Sequence, residues 1–301
     1  MHVRLLDDVR ILSADDMQGR DTGAPGGERA RAYIVGRLEA LGVAPPPMGR
    51  LQPWEMQGRT RAGPKTFNGV NVIGLIPGTR VTDRYIVVTA HYDHLGSPDS
   101  TVIYYGADDN ASGTAGVIEI AKAFAEAKKK GAGPKRTVVC MLVSGEEKGL
   151  LGSKYYTEFP LFPLDKTVVD INIDMIGRVD QPHAENPNYI YVIGSDRIST
   201  HLHDLNELVN SEHTKLELDY KFNAKDDPNR YYERSDHYNF AEKGIPSIFY
   251  FNGTHPDYHR PTDTPDKLNY EVLAKRAQLA FYLAWETANR PDRLAPNVKQ
   301  D

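Results

Sequence analysis

Short apolar runs alternate along the chain with longer amphipathic stretches. The short runs are rich in β-branched residues, which is typical of strands that are covered on both faces of a sheet. The runs YIVVTA and TVVCMLV contain no charged residue at all. Six runs are predicted to be strands, at residues 70–76, 85–90, 137–143, 168–174, 189–193 and 246–251.

Apolar residues that recur every three or four positions predict helices between these strands. In the stretch 24–43, for example, Ala30, Ile34 and Leu38 fall on one stripe. Further helices are predicted at 115–129, 197–210 and 270–289. Strands that alternate with helices predict an α/β fold, a three-layer sandwich whose central, twisted and mostly parallel sheet is flanked by helices.

Composition and charge exclude some classes of function. The 301 residues carry a formal net charge of −5, which argues against a nucleic-acid-binding protein, because such proteins usually present a basic surface. No apolar run approaches the roughly 18 residues needed to span a membrane. The single cysteine, Cys140, lies in an apolar run, so we expect a buried core residue and no intrachain disulfide.

Several predicted strands end in acidic or histidine residues. In an α/β sheet, binding sites form where the carboxyl ends of the strands meet. We therefore expect these residues to converge, together with an acidic cluster just before the helix at 115–129. The candidate metal ligands are His91, Asp109, Glu147, Asp174 and His259.

Each of these residues alone has an ordinary structural explanation, such as a helix cap or a solvated turn. Together they predict a cation, because buried carboxylates at one sheet edge are costly without one. Histidine and carboxylate ligands without cysteine favour Zn²⁺, with Mn²⁺ or Co²⁺ as weaker options. One catalytic zinc needs about three protein ligands, so the larger set predicts two ions. Of the adjacent acids Glu146 and Glu147, one can bind metal while the other handles protons.

At these residues the chain resembles the di-zinc exopeptidases of metallopeptidase family twenty-eight. That family includes bacterial leucyl-type aminopeptidases, glutamate carboxypeptidase II and glutaminyl cyclases. The similarity runs from about residue 70 to 268 and rests on several motifs in family order. They are TAHYDHLG (89–96), GADDNASGTA (106–115), SGEEKGLLGS (144–153), NIDMIGR (172–178), RSDHYNFAEKGIPSIFYF (234–251) and YHRPTDTPDKL (258–268).

The resemblance implies a zinc-exopeptidase fold, of the phosphorylase/hydrolase-like type, and a role for each ligand. His91 and Asp174 would bind one zinc, Glu147 and His259 the other, and Asp109 would bridge them. The implied activity is that of an aminopeptidase, which removes N-terminal residues from peptides with water held between the metals. Glu146 would be the general base and Asp93 would orient His91. A cis peptide bond is implied between Asp109 and Asn110.

The residues around this centre carry weaker implications. Asp236 and His237, in the Ser-Asp-His motif, are expected beside the ligands without binding metal. Tyr232 is a candidate hydrogen-bond donor to the reacting substrate, and Tyr250 a candidate for the substrate pocket. The loop 219–235 is expected to control access. His94, His255 and Asp257 are expected to be polar neighbours.

Other functions on the same site remain open. Arg178, Arg234 and Arg260 stand beside motif residues and could bind a substrate carboxylate, as in a carboxypeptidase or an acidic-dipeptide peptidase. A glutaminyl cyclase is less favoured, since cyclases use one metal. A catalytically dead binding module would be expected to lack ligands. The preferred substrate and the oligomeric state are not predicted.

The organisation expected is one metallo-exopeptidase domain over 1–301, because the candidate ligands run from residue 91 to 259 and a boundary would divide the site. The stretch before Asn71 is too short for the protease-associated domain that many relatives carry. The first twenty residues carry several acids, unlike a signal peptide. The family resemblance suggests a periplasmic or secreted protein if a leader was removed, and a cytoplasmic one otherwise.

Overall fold

The computed structural model describes residues 2–60, 63–99, 101–292 and 294–298. Within them the chain forms ten strands and seven α-helices. The strands are β1 Leu51–Thr60, β2 Gly63–Ile76, β3 Val81–His91, β4 Gly96–Asp99, β5 Val102–Tyr104, β6 Arg136–Val143, β7 Thr167–Ile173, β8 Tyr189–Ile193, β9 Glu217–Asp219 and β10 Ser247–Phe251. The helices are α1 His2–Leu12, α2 Pro25–Ala40, α3 Gly113–Lys129, α4 Leu151–Glu158, α5 Thr200–Val209, α6 His237–Ala241 and α7 Tyr270–Asn289.

Eight of the strands form one sheet in the order β1-β2-β6-β3-β7-β10-β8-β9. Its centre, β6-β3-β7-β10, is parallel throughout, and β8 pairs with β9 in parallel. The three other pairings, β1 with β2, β2 with β6 and β10 with β8, are antiparallel. The predicted parallel sheet is therefore found in the middle, where the carboxyl ends of four adjacent strands share one edge.

Helices cover both faces of the sheet, which confirms the three-layer prediction. Ile86 and Val88 of β3 belong to a core cluster that they share with residues of α2, α3, α5 and α7. Val87, between them, points to the opposite face and belongs to a cluster with Tyr156 of α4 and Phe240 of α6. This alternation is the two-residue period of a strand, and it explains why the central runs are apolar at every position.

Several elements were not predicted from the sequence pattern. Strand β1, LQPWEMQGRT, is polar at many positions and contains Pro53, which edge strands tolerate because one side of their backbone has no partner strand. Helix α1 is heavily charged, yet it buries Leu5, Val9 and Leu12. Cys140 is fully buried on β6, as expected. The described helices include none that is long and apolar enough to cross a membrane.

Arg20 connects the N-terminal segment to the loops at the carboxyl edge of the sheet. Its side chain is fully buried, and its guanidinium donates to five main-chain carbonyls, of which that of Asp109 is the most distant at 3.5 Å. It reaches Leu12 at 2.6 Å, and Tyr92, Tyr105 and Gly106 at 2.8 Å each. Burial lowers the pKa of Arg20 to about 10, so the side chain remains charged at neutral pH and donates to carbonyls of the loops after β3 and before α3.

Candidate metal centre

The parallel strands bring the predicted ligands together at one edge of the sheet. His91 is the last residue of β3, and Asp174 directly follows its neighbour β7. Strand β6, on the other side of β3, leads into Glu146 and Glu147. The loop after β10 returns His259 to the same edge. The five candidate ligands form two groups of atoms, here called the first and the second cluster.

The first cluster consists of His91, Asp109 and Asp174. The Nε2 atom of His91 lies 3.2 Å from Oδ1 of Asp174 and 3.5 Å from Oδ1 of Asp109. Two ligands of one tetrahedral zinc, each about 2.0–2.1 Å from it, lie about 3.3 Å apart. The spacing of these three atoms therefore fits a single small divalent cation.

The second cluster is built around Glu147. Nε2 of His259 lies 3.4 Å from Oε2 of Glu147 and 3.1 Å from Oδ2 of Asp109. His94, which sequence analysis treated as a polar neighbour, also belongs here, with Nδ1 2.9 Å from Oε1 of Glu147. The second cluster thus contains one more imidazole than the sequence predicted.

Asp109 belongs to both clusters and turns a different oxygen to each. Its Oδ1 faces His91 and its Oδ2 faces His259. The carboxylate is almost fully buried, and burial together with the neighbouring charge of Glu147 raises its pKa. A buried carboxylate in this environment is strongly stabilised by cations on its two sides.

Glu146 and Glu147 are adjacent but have opposite electrostatic environments. Burial raises the pKa of Glu146 well above its usual value, and its Oε2 lies 3.9 Å from Nε2 of His91. Although burial also opposes ionisation of Glu147, the imidazoles of His259 and His94 hold its pKa well below the usual value. One acid is thus suited to hold a proton and the other to remain a carboxylate.

Asp93 supports both sides of the site. Nδ1 of His91 lies 3.1 Å from the main-chain carbonyl of Asp93 and 3.6 Å from its carboxylate, so the hydrogen bond goes to the carbonyl. The carboxylate instead accepts the N–H of Glu146 and the hydroxyl of Thr22. Asp93 is therefore placed to orient His91, as predicted, but through its main-chain carbonyl and not through its carboxylate.

The turn that carries Asp109 has an unusual backbone. The peptide bond between Asp109 and Asn110 is cis, as the family resemblance implies. The carboxylate of Asp263 accepts the N–H groups of Asp108 at 3.0 Å and Asp109 at 3.1 Å. His259 has φ +55°, a left-handed conformation that is uncommon outside glycine and is concentrated at functional sites.

The Ser-Asp-His motif lies below the first cluster, and its contact with a ligand comes from a residue that sequence analysis did not select. Ser235 donates a 2.7 Å hydrogen bond to Oδ2 of Asp174. Asp236 is buried and accepts a hydrogen bond from Ser153. His237 is buried between the rings of Phe249 and Tyr232. Ser235 and Asp263 both lie in quoted motifs, but their contacts could not be predicted, because an ordinary loop serine or acid looks the same in one sequence.

Two residues predicted to contact substrate lie elsewhere. Tyr250 points into the core on the opposite face of β10, and its hydroxyl donates to Asn206; its neighbours Phe249 and Phe251 line the pocket instead. The prediction for Tyr250 is wrong because side chains alternate along a strand and the sequence does not tell which face carries the pocket. Tyr232 packs against Arg197 and is not part of the pocket lining, whereas Tyr231 is.

The pocket beside the clusters is largely aromatic on one side. Its lining combines Asp109, Glu146, Asp174 and His259 with Met175, Tyr231, Arg234, Phe249, Phe251 and Tyr258. Tyr231 and Arg234 come from the loop 219–235, which therefore does border the site. Arg178 is paired with Asp257 at 2.8 Å and does not line this pocket, which disfavours it as the partner of a substrate carboxylate.

Residues 71–284 match the sequence profile of peptidase family M28. Among curated proteins, a probable leucine aminopeptidase of Arthroderma otae is 29% identical over 224 residues, which cover 72% of this chain and 57% of that protein. The chain therefore spans little more than half the length of this relative.

Solved structures of similar fold cover nearly the whole chain. A zinc aminopeptidase from Bacillus subtilis superimposes with a TM-score of 0.75 at 16% identity, over 98% of this chain and 97% of that one. A glutaminyl cyclase from Fimbriiglobus ruber gives a TM-score of 0.71 at 19% identity, over 94% and 95% respectively. At such low identity these similarities establish the fold, which agrees with the one predicted.

Proposed function

Because the chain belongs to peptidase family M28, we propose that it is a zinc-dependent aminopeptidase that removes N-terminal residues from peptides at a two-metal site. The ligands proposed are His91 and Asp174 at one metal and Glu147 and His259 at the other, with Asp109 between them. Mn²⁺ or Co²⁺ could substitute for Zn²⁺, since the ligands are nitrogen and oxygen atoms only.

One observation carries the proposal, namely that Asp109 presents Oδ1 to the first cluster and Oδ2 to the second. A carboxylate shared in this way is what a pair of ions about 3.5–4 Å apart requires. A single-metal enzyme, such as a cyclase, would leave one buried group of acids and imidazoles without a cation. The presence of every candidate ligand also disfavours a binding module that has lost its activity.

The side chains around the clusters support hydrolysis. When bound, the metal pair would polarise the scissile carbonyl and lower the pKa of attacking water. Glu146 lies beside His91 without being needed as a ligand, and burial raises its pKa, which brings a carboxylate closer to the range suited to a general base at neutral pH. We propose that Glu146 takes the proton from water and passes it to the departing amine.

The pocket favours a substrate with an apolar first residue. Phe249 and Phe251 present their rings beside the acidic cluster, and an apolar side chain would gain free energy by leaving water against them. The acids of the clusters would attract the free α-amine of the substrate. Arg234 also borders the pocket, where it packs over the ring of Tyr231, so hydrolysis of acidic substrates remains the second candidate.

Metal analysis paired with a panel of substrates tests the proposal. We expect two zinc ions per chain and faster hydrolysis of a leucyl than of a glutamyl chromogenic substrate. The matched control is an N-acetyl-leucyl substrate, which lacks the free amine and should not be cleaved. Cyclisation of a glutaminyl substrate, or a purified protein with neither metal nor hydrolysis of leucyl substrate, would contradict it.

A further inference from the structure

The second cluster contains a histidine that none of the proposed roles uses. His94 is fully buried, and its Nδ1 lies 2.9 Å from Oε1 of Glu147 and 3.7 Å from Oδ2 of Asp109. These two distances fall on either side of the spacing of about 3.3 Å between ligands of one tetrahedral zinc. The ring of His94 also stands beside that of His259, with centroids 5.9 Å apart.

Nδ1 of His94 and Oε1 of Glu147 form a close pair, 2.9 Å apart, but the direction of approach is poor for a hydrogen bond. Among the described residues, no group forms a well-directed hydrogen bond with either ring nitrogen of His94. Oε1 of Glu147 likewise accepts none. A fully buried imidazole without a partner is costly. The close approach of Nδ1 of His94 to Oε1 of Glu147 is explained if both atoms donate lone pairs to the same metal ion.

We propose that Nδ1 of His94 is a fourth protein ligand of the second metal, together with Glu147, His259 and Asp109. The inference rests on the proposed two-metal function and adds to its ligand set. The second metal would then have four protein ligands, whereas the first would have only His91, Asp109 and Asp174.

The backbone makes room for the ring in this position. Gly106 has φ +56°, and a Cβ atom placed on it would come within 2.5 Å of Cγ and Cδ2 of His94. The same Cβ would lie 2.2 Å from the main-chain oxygen of Asp109, so a side chain at residue 106 would collide with both the imidazole and the turn that carries Asp109. Gly106 is held in turn by Arg20, which donates to its carbonyl at 2.8 Å.

The unequal ligand sets give the two metals different tasks. Structural zinc sites usually have four protein ligands, whereas catalytic sites have three and keep a position open for water or substrate. The second metal would accordingly be the more tightly held, and the first would carry the open position. The second metal should be retained longer when a chelator is added.

Metal binding by His94→Phe tests the assignment, because phenylalanine has a similar volume and no lone pair. At the same free zinc concentration we expect two ions in the wild type and one in His94→Phe, with the affinity of the second position reduced at least about 100-fold. Even residues that only orient ligands change affinity 10–100-fold. The control is His237→Phe, since His237 is equally buried and unpartnered and should keep both ions.

A second variant keeps the test independent of any loss of folding. His94→Cys restores a ligand atom, and its Co²⁺ form should show a thiolate-to-cobalt charge-transfer band. The background is low because Cys140, the only native cysteine, is buried on β6. His237→Cys should lack the band.

The outcomes separate this inference from the function on which it rests. The role of His94 would be overturned if the wild type binds two ions, His94→Phe also binds two, and His94→Cys shows no charge-transfer band. That result would leave the two-metal site standing. Wild type that binds fewer than two ions would overturn both.

Discussion

The carboxylate of Asp93 accepts the backbone N–H of Glu146, with 3.2 Å between oxygen and nitrogen. This bond joins the loop after β3 to the loop after β6. The same carboxylate accepts the hydroxyl of Thr22 at 2.9 Å, and it is fully buried. Asp93 thus positions the proposed general base through its carboxylate and the proposed ligand His91 through its main-chain carbonyl.

Asp93→Asn should therefore reduce activity without abolishing metal binding. The amide has the shape of the carboxylate, but its NH₂ group would face donors on one side. We expect kcat/KM to fall about 10–100-fold, the range seen when groups that orient ligands are changed. Thr22→Val removes one donor and leaves the charge, so its effect on kcat/KM should be smaller. Wild-type kcat/KM in Asp93→Asn would show that the link between the loops is dispensable.

Glu146→Gln should retain both metals and lose about 10²–10⁴-fold in kcat, the contribution expected of one acid-base group. The adjacent Glu147→Gln is the matched control, because it removes a proposed ligand and should lose metal first. Zinc content and kcat measured on both variants separate the two roles. A Glu146→Gln protein with near-normal turnover would rule out Glu146 as the base.

Asp109→Ala should disturb both metals, since each oxygen of the carboxylate serves one cluster. We expect zinc content to fall below one ion per chain at a free zinc concentration that saturates the wild type. Asp257→Asn is the control: this acid pairs with Arg178 and Lys267, and its loss should leave zinc content unchanged. Two full sites in Asp109→Ala would contradict a shared ligand.

Asp236 should make the metal-free protein less stable as pH rises. Burial raises its pKa to about 7 from an ordinary value of 3.8, so the folded protein keeps a proton that the unfolded chain releases. The free energy of unfolding should thus decrease between about pH 4 and pH 7 and change little above that range. Urea denaturation of Asp236→Asn should show less of this decrease, by up to roughly 4 kcal/mol.

Ser153→Ala is the control for this pH effect, and it should change the pH dependence of stability in the opposite direction to Asp236→Asn. Ser153 donates a hydrogen bond to Asp236, which favours the ionised form. Ser153→Ala should therefore raise the pKa of Asp236 further and steepen the loss of stability. Equal pH dependence in the wild type and Asp236→Asn would mean that this carboxyl is not protonated in the folded state.

Sequence patterns predicted the central strands well because burial on both faces demands an apolar residue at every position. They missed β1, whose pattern is that of a half-exposed edge strand. The five candidate ligands could be selected because their motifs combine rare residue types in a recognisable order. His94 was predicted to be a polar neighbour and is one, but only the fold reveals that its ring turns toward Glu147. Tyr250 failed for a simpler reason, since its strand was predicted but not the face on which each side chain lies.

Arg20 supports the site although it lies outside the segment that matches the family profile. The family profile begins at residue 71, about fifty residues after Arg20. The Arg20 guanidinium nevertheless donates to the carbonyls of Tyr92 and Gly106, in the loops that carry His94 and Asp109. A fragment that began at residue 71 would lack these charged hydrogen bonds to the two loops. Substitution of Arg20 should accordingly disturb the positions of His94 and Asp109, although Arg20 does not itself line the pocket.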